Sequence, residues 1–343
     1  MSSRPSRCLV RGAINIDELF HVDDAVRPGE TIFSTELERR VGGKGANQAV
    51  AVARAGGSVA LVGAVGEDGG WVIDQLRGYG VDVSAVHEAE VRQEGGVLHK
   101  GANHTQTPPS SHFSSKSSEP LTSTITHILL QNEIPSQTTI SHLTHFHHQS
   151  ATTIFNPSPM PSREELFHFP WKHLDWLLVN EGEAEALLKS LRYRHKHGNR
   201  ASDHIAHSKG DTYSTIKRLH VHRHFSERTN IVCTLGALGV IVLIHDQQEC
   251  LYLEAAELKG AVGGGEDVIR DTTSAEDCFA GYFVRGLMQM HEQGVSPIGL
   301  REAGDLMRVC LTAAAMCVER RSNGAMESIP SSEKVQERLA QMP

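Results

Sequence analysis

The residues best suited to chemistry fall in one stretch, Asp271-Thr272-Thr273-Ser274-Ala275-Glu276-Asp277-Cys278-Phe279-Ala280-Gly281, which reads as a loop turning directly into a helix. A helix start leaves backbone N–H groups unpaired and carries the positive end of the helix dipole. Ala275, Glu276 and Asp277 can therefore aim donors at a phosphate. Asp277 beside that anion is placed to take a proton from a hydroxyl attacking phosphorus, which is general-base work. The same letters also spell an ordinary N-capped helix, with Asp271 or Thr273 as cap and Cys278 and Phe279 entering the core. On this stretch alone the capped helix is the better reading.

Other polar residues fall where elements end. The apolar run 7–16, RCLVRGAINI, reads as a buried first strand, and Asn15 and Asp17 lie at its carboxyl end. In open α/β sheets ligands bind off that end, so both are candidates for a hydroxylated substrate, with a solvated turn as the alternative. Residues 28–40 alternate apolar and polar side chains as an exposed strand pair would, and lead into Val41-Gly42-Gly43-Lys44-Gly45-Ala46-Asn47. Adjacent glycines let backbone approach a ligand. This is not a phosphate loop of the GxxxxGK[ST] kind, because that spacing is absent, so Gly43, Lys44 and Asn47 are read as substrate contacts. HILLQNEIP (127–135) is an apolar strand with Glu133 at its end. LDWLLVNEGEAEALLKSL (174–191) is strand then helix, with Asn180 at the junction. Its acidic first turn either suits the helix dipole or lets Asn180 and Glu183 orient water around Mg²⁺. Thr234, Gly236 and Gly239 form a tight turn between apolar strands in NIVCTLGALGVIVLI (230–244), and the glycines could pass close to a nucleotide. A second glycine run, GAVGGG (260–265), reads as a flexible loop.

Buried strands alternating with helices across the chain predict an α/β domain with a mostly parallel, doubly wound sheet and a small β appendage. The hydrophobic fraction, 39%, is low for an enzyme of 343 residues, but the dilution is local. Residues 104–126 are rich in Ser, Thr and Pro, and 192–229 are polar and basic; both read as disordered or irregular inserts. His142, His145, His147 and His148 invite a zinc reading, but no Cys or carboxylate completes a ligand set at a usual spacing. A net charge of −8 with no basic run argues against nucleic acid as partner. The six cysteines show no paired framework, which points to a reducing compartment, and the first apolar run is too short for a membrane span. A cytoplasmic location, with the nucleus as an alternative, is expected.

Taken together, GAINID, GGKGANQAVAVARAG, QNEIP, NEGEAE, TLGALG and DTTSAEDCFAG stand in the order found in the ribokinase/PfkB family of carbohydrate kinases. The chain resembles that family over nearly all of its length outside 104–126 and 192–229. The resemblance implies one kinase domain over 1–335, a three-layer α/β sandwich with a β-lid from strands near 16–41 and 91–103, and a homodimer through that lid. The implied activity is ATP-dependent phosphorylation of D-ribose at O5, with another sugar or a nucleoside as alternatives. Carried over by position, Asp277 is the catalytic base, and Ser274, Ala275, Glu276 and Asp277 form an anion hole. Asn15, Asp17, Gly43, Lys44, Asn47 and Glu133 bind sugar. Asn180, Thr234, Gly236 and Gly239 serve ATP, and Glu183 serves Mg²⁺ through water. Asp271, Thr273, Gly324 and Ser328 lie where the family holds an activating K⁺. Three departures stand out: Glu276 replaces the family's glycine in the anion hole, 91–103 is shorter than the paired lid strands, and Ser322-Asn323 is a small insertion before Gly324. The first two also fit a sugar- or nucleotide-binding relative that has lost catalysis.

Overall fold

The computed structural model describes residues 5–22, 27, 29–89, 125–191, 209–259, 274–320 and 325–342. Eleven strands are formed among them: β1 (Cys8–Arg11), β2 (Asn15–His21), β3 (Glu36–Gly42), β4 (Val59–Val65), β5 (Asp82–Glu88), β6 (His127–Leu130), β7 (Thr152–Phe155), β8 (Trp176–Asn180), β9 (Asn230–Thr234), β10 (Val240–Leu243) and β11 (Leu251–Leu253). Nine make one sheet in the order β11-β10-β9-β8-β7-β6-β1-β4-β5. From β9 to β5 every pairing is parallel, while β10 and β11 extend the edge antiparallel. The helices are α1 (Lys44–Arg54), α2 (Gly70–Gly78), α3 (Ser136–His148), α4 (Arg163–His168), α5 (Glu181–Leu191), α6 (Lys209–His220), α7 (Ala275–Glu292), α8 (Leu300–Val318), α9 (Ala325–Ser328) and α10 (Ser332–Leu339).

The strands are buried on both faces, and their two-residue period divides the core into two layers. Cys8, Val10, Leu129, Leu178 and Val232 face one side, with α1, α7 and α8. Leu9, Ile128, Leu130, Leu177, Val179 and Ile231 face the other, with α3, α5 and α6. Helices on both faces of a mostly parallel sheet make the three-layer sandwich expected from the sequence. β2 and β3 form a separate antiparallel hairpin with Phe20 and Leu37 exposed on it; the alternating stretch 28–40 supplies only β3, and its partner is Asn15–His21 rather than a second strand within that stretch.

Three local expectations change. The run 7–16 is not one strand: β1 stops at Arg11 and β2 starts at Asn15. Gly12 lies between them because a Cβ there would collide with the Gln131 side chain and come within 2.6 Å of the Gly45 Cα. Helix α1 begins at Lys44, earlier than Asn47, because Gly43 at φ 87° turns the chain and the Ala46 N–H reaches the Ala13 carbonyl at 3.0 Å. The polar segment 192–229 contains α6, whose Thr212, Ile216 and Leu219 are buried at near-helical spacing among basic residues that hide the pattern. The remainder of that segment to 208, residues 104–124, the lid segment 91–103 and GAVGGG lie outside the described residues.

What brings the chemistry-bearing stretch into place is the contact of α1 with α7. A Cβ on Gly281 would run into Ala51 and lie 2.8 Å from the Val52 nitrogen, so the two helices touch almost backbone to backbone. Overpacking a site of this kind costs typically ~1–3 kcal/mol. Gly281→Val is expected to lower stability by about that amount, read as a lower urea midpoint at unchanged slope.

Candidate active site

Asp277 sits in the first turn of α7 and is 2% exposed. Each of its oxygens has a side-chain donor: Asn47 Nδ2 donates to Oδ2 at 3.0 Å and Gln48 Nε2 donates to Oδ1 at 2.9 Å. The Lys44 ammonium stands 3.7 Å from Oδ1 and 3.6 Å from Glu276 Oε2. The first turns of α1 and α7 therefore face each other, with a cation between their acids. Burial pushes the Asp277 carboxyl up; Lys44, Gln48 and Asn47 pull it back, and Glu276 adds to the rise. For Lys44, burial works against the charged form, but Asp277, Glu276, Glu133 and Glu183 outweigh it and the net displacement is upward.

The start of α1 is closed by Glu133, whose carboxylate accepts the Lys44 N–H at 2.6 Å. A carboxylate here suits the positive end of the helix dipole. Burial raises the Glu133 pKa, the Lys44 N–H opposes it, and Asp277 and Asp17 add to the rise. Asp17 lies over Gly42, where any Cβ would collide with its carboxylate, and burial raises its pKa as well. Asn15 pairs with Gly42 across the hairpin, and a Cβ on Gly43 would come within 2.9 Å of the Asn15 nitrogen. Asn15, Asp17, Gly43, Lys44, Asn47, Glu133 and Asp277 thus meet at one end of the sheet, where β2–β3, α1 and α7 converge.

Asn180 and Glu183 cap α5 reciprocally: the Asn180 N–H donates to Glu183 Oε2 at 3.0 Å and the Glu183 N–H to Asn180 Oδ1 at 2.9 Å. Glu183 still looks toward the centre, since its pKa is raised by burial and then by the charge of Glu276. Thr234, at the end of β9, shares a small cavity with Glu276, Asn156, Leu178 and Phe279. The two turn glycines differ. A Cβ on Gly236 would meet nothing within 4 Å, while one on Gly239, at φ 108°, would collide with the Leu253 carbonyl of β11 and come within 2.8 Å of the Ala255 nitrogen. Gly239 is therefore accounted for by the hairpin itself.

Ser274 precedes α7 without a side-chain cap bond. Its hydroxyl turns inward to Ser328 Oγ at 2.8 Å and Cys317 Sγ at 3.3 Å. The Ser328 carbonyl accepts from the Arg320 guanidinium at 3.3 Å. Asp271, Thr273 and Gly324 lie outside the described residues. On α3, His147 stacks on His173 with ring centroids 4.5 Å apart, far along the chain from these groups.

Sequence reasoning missed Gln48, Gln131 and Asn156. Gln48 was hidden in the apolar run of α1, yet Gln131 and Asn156 immediately follow β6 and β7, the strand ends that had drawn attention to Asn15.

A sequence model of the pfkB family carbohydrate kinases matches residues 6–330. The chain belongs to that family and is a phosphotransferase of the ribokinase type. Among solved structures it is similar to the ribokinase of Cryptococcus neoformans, determined in complex with ADP: 42% identity, TM-score 0.78, covering 97% of this chain and 100% of that one. Ribokinase of Schizosaccharomyces pombe is 28% identical over 94% of each chain. Ribokinase of Bacillus subtilis is 32% identical over 200 residues, 54% of this chain and 65% of that relative. No helix among the described residues is long and apolar enough to cross a membrane.

The raised carboxyls carry a consequence for stability. A folded-state pKa above the unfolded value means that the native chain holds its proton longer. Stability therefore falls as pH rises from the ordinary carboxylate range through the raised pKa of Glu133. Glu133→Gln, which still accepts the Lys44 N–H, is expected to raise the melting temperature at neutral pH and to flatten its pH dependence over that window; differential scanning calorimetry from pH 4 to about pH 8 reads both.

Proposed function

We propose that the chain catalyses ATP-dependent phosphorylation of D-ribose at O5, giving ribose 5-phosphate. The supporting observation is Asp277: a buried carboxylate at a helix start, tethered through both oxygens, beside a lysine. Asp277 takes the proton of the sugar hydroxyl as its oxygen forms a bond to the γ-phosphorus. The bond from that phosphorus to the bridging oxygen breaks, and ADP leaves with the bond's electron pair. The N–H groups at 274–277 and the Lys44 ammonium balance charge on the transferring phosphoryl group. Asn15, Asp17, Gly43, Lys44, Asn47 and Glu133 bind the sugar. Asn47 Oδ1 supports this role, being buried and without a partner among the described residues, so that a sugar hydroxyl completes it.

Asn180, Thr234 and Gly236 line the nucleotide side, with Gly239 shaping the turn. Glu183, whose charged form is opposed by burial and by the charge of Glu276, fits the neighbourhood of a hydrated Mg²⁺ ion. When bound, Mg²⁺ neutralises phosphate charge; Glu183 holds its water. An activating K⁺ would be held by Asp271, Thr273, Gly324 and Ser328, the last through its carbonyl, which accepts one bond from Arg320 at 3.3 Å and keeps a lone pair, since the Ser328 hydroxyl donates to the Ala325 carbonyl at 2.7 Å.

Purified protein with ribose, Mg-ATP and K⁺ is expected to release ADP in proportion to ribose, and Asp277→Ala to lower kcat by roughly 10²–10⁴-fold. Ribose-independent ADP release that survives the substitution sinks the reading, and turnover on another sugar or a nucleoside instead redirects it. The acid limb of kcat should lie above the ordinary carboxylate range, because Asp277 must lose its proton to act and burial holds that proton on.

Glu276 supports a second reading, a sugar- or nucleotide-binding relative with weakened catalysis. Its carboxylate lies 3.6 Å from the Lys44 ammonium inside the site, on a half-buried side chain. A negative charge about 4 Å from a phosphate opposes it by roughly 1–4 kcal/mol, depending on the effective dielectric. Glu276→Gly is expected to lower KM for ATP and raise kcat/KM; equal values for parent and variant in steady-state kinetics exclude the impaired reading.

A further inference from the structure

Behind Asp277 lies a chain of buried amides that no part of the proposed reaction uses. Gln48 is 0% exposed in the middle of α1, Gln131 is 0% exposed just past β6, and Asn156 is 2% exposed just past β7. Their bonds run in one direction. Asn156 Nδ2 donates to the Leu178 carbonyl on β8 at 3.2 Å, which leaves Asn156 Oδ1 to accept from Gln48 Nε2 at 3.2 Å. Gln131 Nε2 donates to Gln48 Oε1 at 2.5 Å. Gln48 therefore meets a donor at its oxygen and an acceptor at its nitrogen, and its remaining N–H can only go to Asp277 Oδ1, 2.9 Å away.

A primary amide can turn over by half a rotation, exchanging its donor for its acceptor. Here that exchange is blocked. Turned over, Gln48 would set its oxygen against both Asn156 Oδ1 and the Asp277 carboxylate. The backbone carbonyl of Leu178, which can only accept, anchors the sense of the whole chain, and burial makes each mismatch costly.

We infer that Gln48 is a positioning residue for the proposed catalytic base, its amide held in one sense by Asn156 so that it presents a donor to Asp277 and fixes the carboxylate's orientation. This rests on the assignment of Asp277 made above. Gln48 touches neither sugar nor phosphate in this scheme; it acts through Asp277. The direction of its effect on ionisation agrees, since the Gln48 bond pulls the Asp277 pKa down against burial.

The test uses the full chain and compares the parent with Gln48→Leu, which keeps the bulk and removes the donor, and Gln48→Met, which keeps an unbranched side chain of similar length and likewise has no N–H to give. Loss of one donor to a charged group predicts a fall in kcat of about 10–100-fold, with KM for sugar held within about threefold. The acid limb of kcat should move to higher pH in both. A ¹³C NMR titration of the Asp277 carboxyl reads the same upward shift without any turnover. If Gln48→Leu does not fold, Gln48→Met carries the comparison. An Asp277 titration unchanged in the folded variant overturns the inference, as does a loss confined to KM. If the parent turns over no sugar, the proposed function fails while the NMR titration still decides the role of Gln48.

Discussion

Burying a carboxylate is expensive unless hydrogen bonds and a nearby positive charge take the place of water. Asp277, nearly fully buried, gets both only because two helix starts face each other. Asn47 and Gln48 come from the first turns of α1, Lys44 begins that helix, and Asp277 belongs to the first turn of α7. Such an arrangement requires the helices to approach more closely than ordinary side chains permit, which explains the small residues at their contact. Gly281 lies on Ala51, and Gly45 lies on the Gly12 backbone. The glycines of this region are the steric condition for placing donors around one carboxylate, and a ligand need not be invoked for each of them.

The same geometry makes the centre electrostatically unbalanced. Lys44 is one ammonium among Asp277, Glu276, Glu133 and Glu183, and all four hold its proton more tightly than burial alone would allow. Asp17, Glu133, Glu183 and Asp277 all have pKa values displaced upward, with burial the largest cause in each. Carboxylates so placed destabilise the folded chain at neutral pH and gain from any cation or hydrogen-bond donor that enters. Strain of this kind concentrates at functional sites and has no counterpart in the two apolar layers, where Cys8, Cys233, Cys278, Cys310 and Cys317 serve as small buried residues.

How much of this could be read in the letters varies with how each feature is encoded. Strand-helix alternation gave the sandwich, because β-branched runs such as VALVGAV and NIVCT are continuous and bounded by turn residues. Motif order led to the two facing helix starts, since GGKGAN and SAEDCFAG are local strings. The break between β1 and β2 was not legible, for it depends on Gly45 and Gln131 occupying the space beside Gly12, a contact across more than thirty residues in sequence. Helix α6 was lost because three buried positions were diluted by basic ones. The amide chain behind Asp277 was invisible for a related reason: Gln48, Gln131 and Asn156 come from three elements, and only the parallel order β1-β6-β7-β8 puts them side by side.

Glu276 shows where a family pattern and a single chain part company. A glycine at this place would leave the helix start open to an anion; the glutamate instead supplies an internal one, 3.6 Å from Lys44. An incoming phosphate must therefore either displace that carboxylate or share the ammonium with it. Displacement has a path, because the Glu276 side chain is 31% exposed while that of Asp277 is 3% exposed. The mobile partner of Lys44 is thus the residue that departs from the family, and the fixed partner is the one the buried amides hold. Under the proposed function, Lys44 would exchange Glu276 for phosphate without losing Asp277, and the glutamate would compete with the nucleotide rather than block the base.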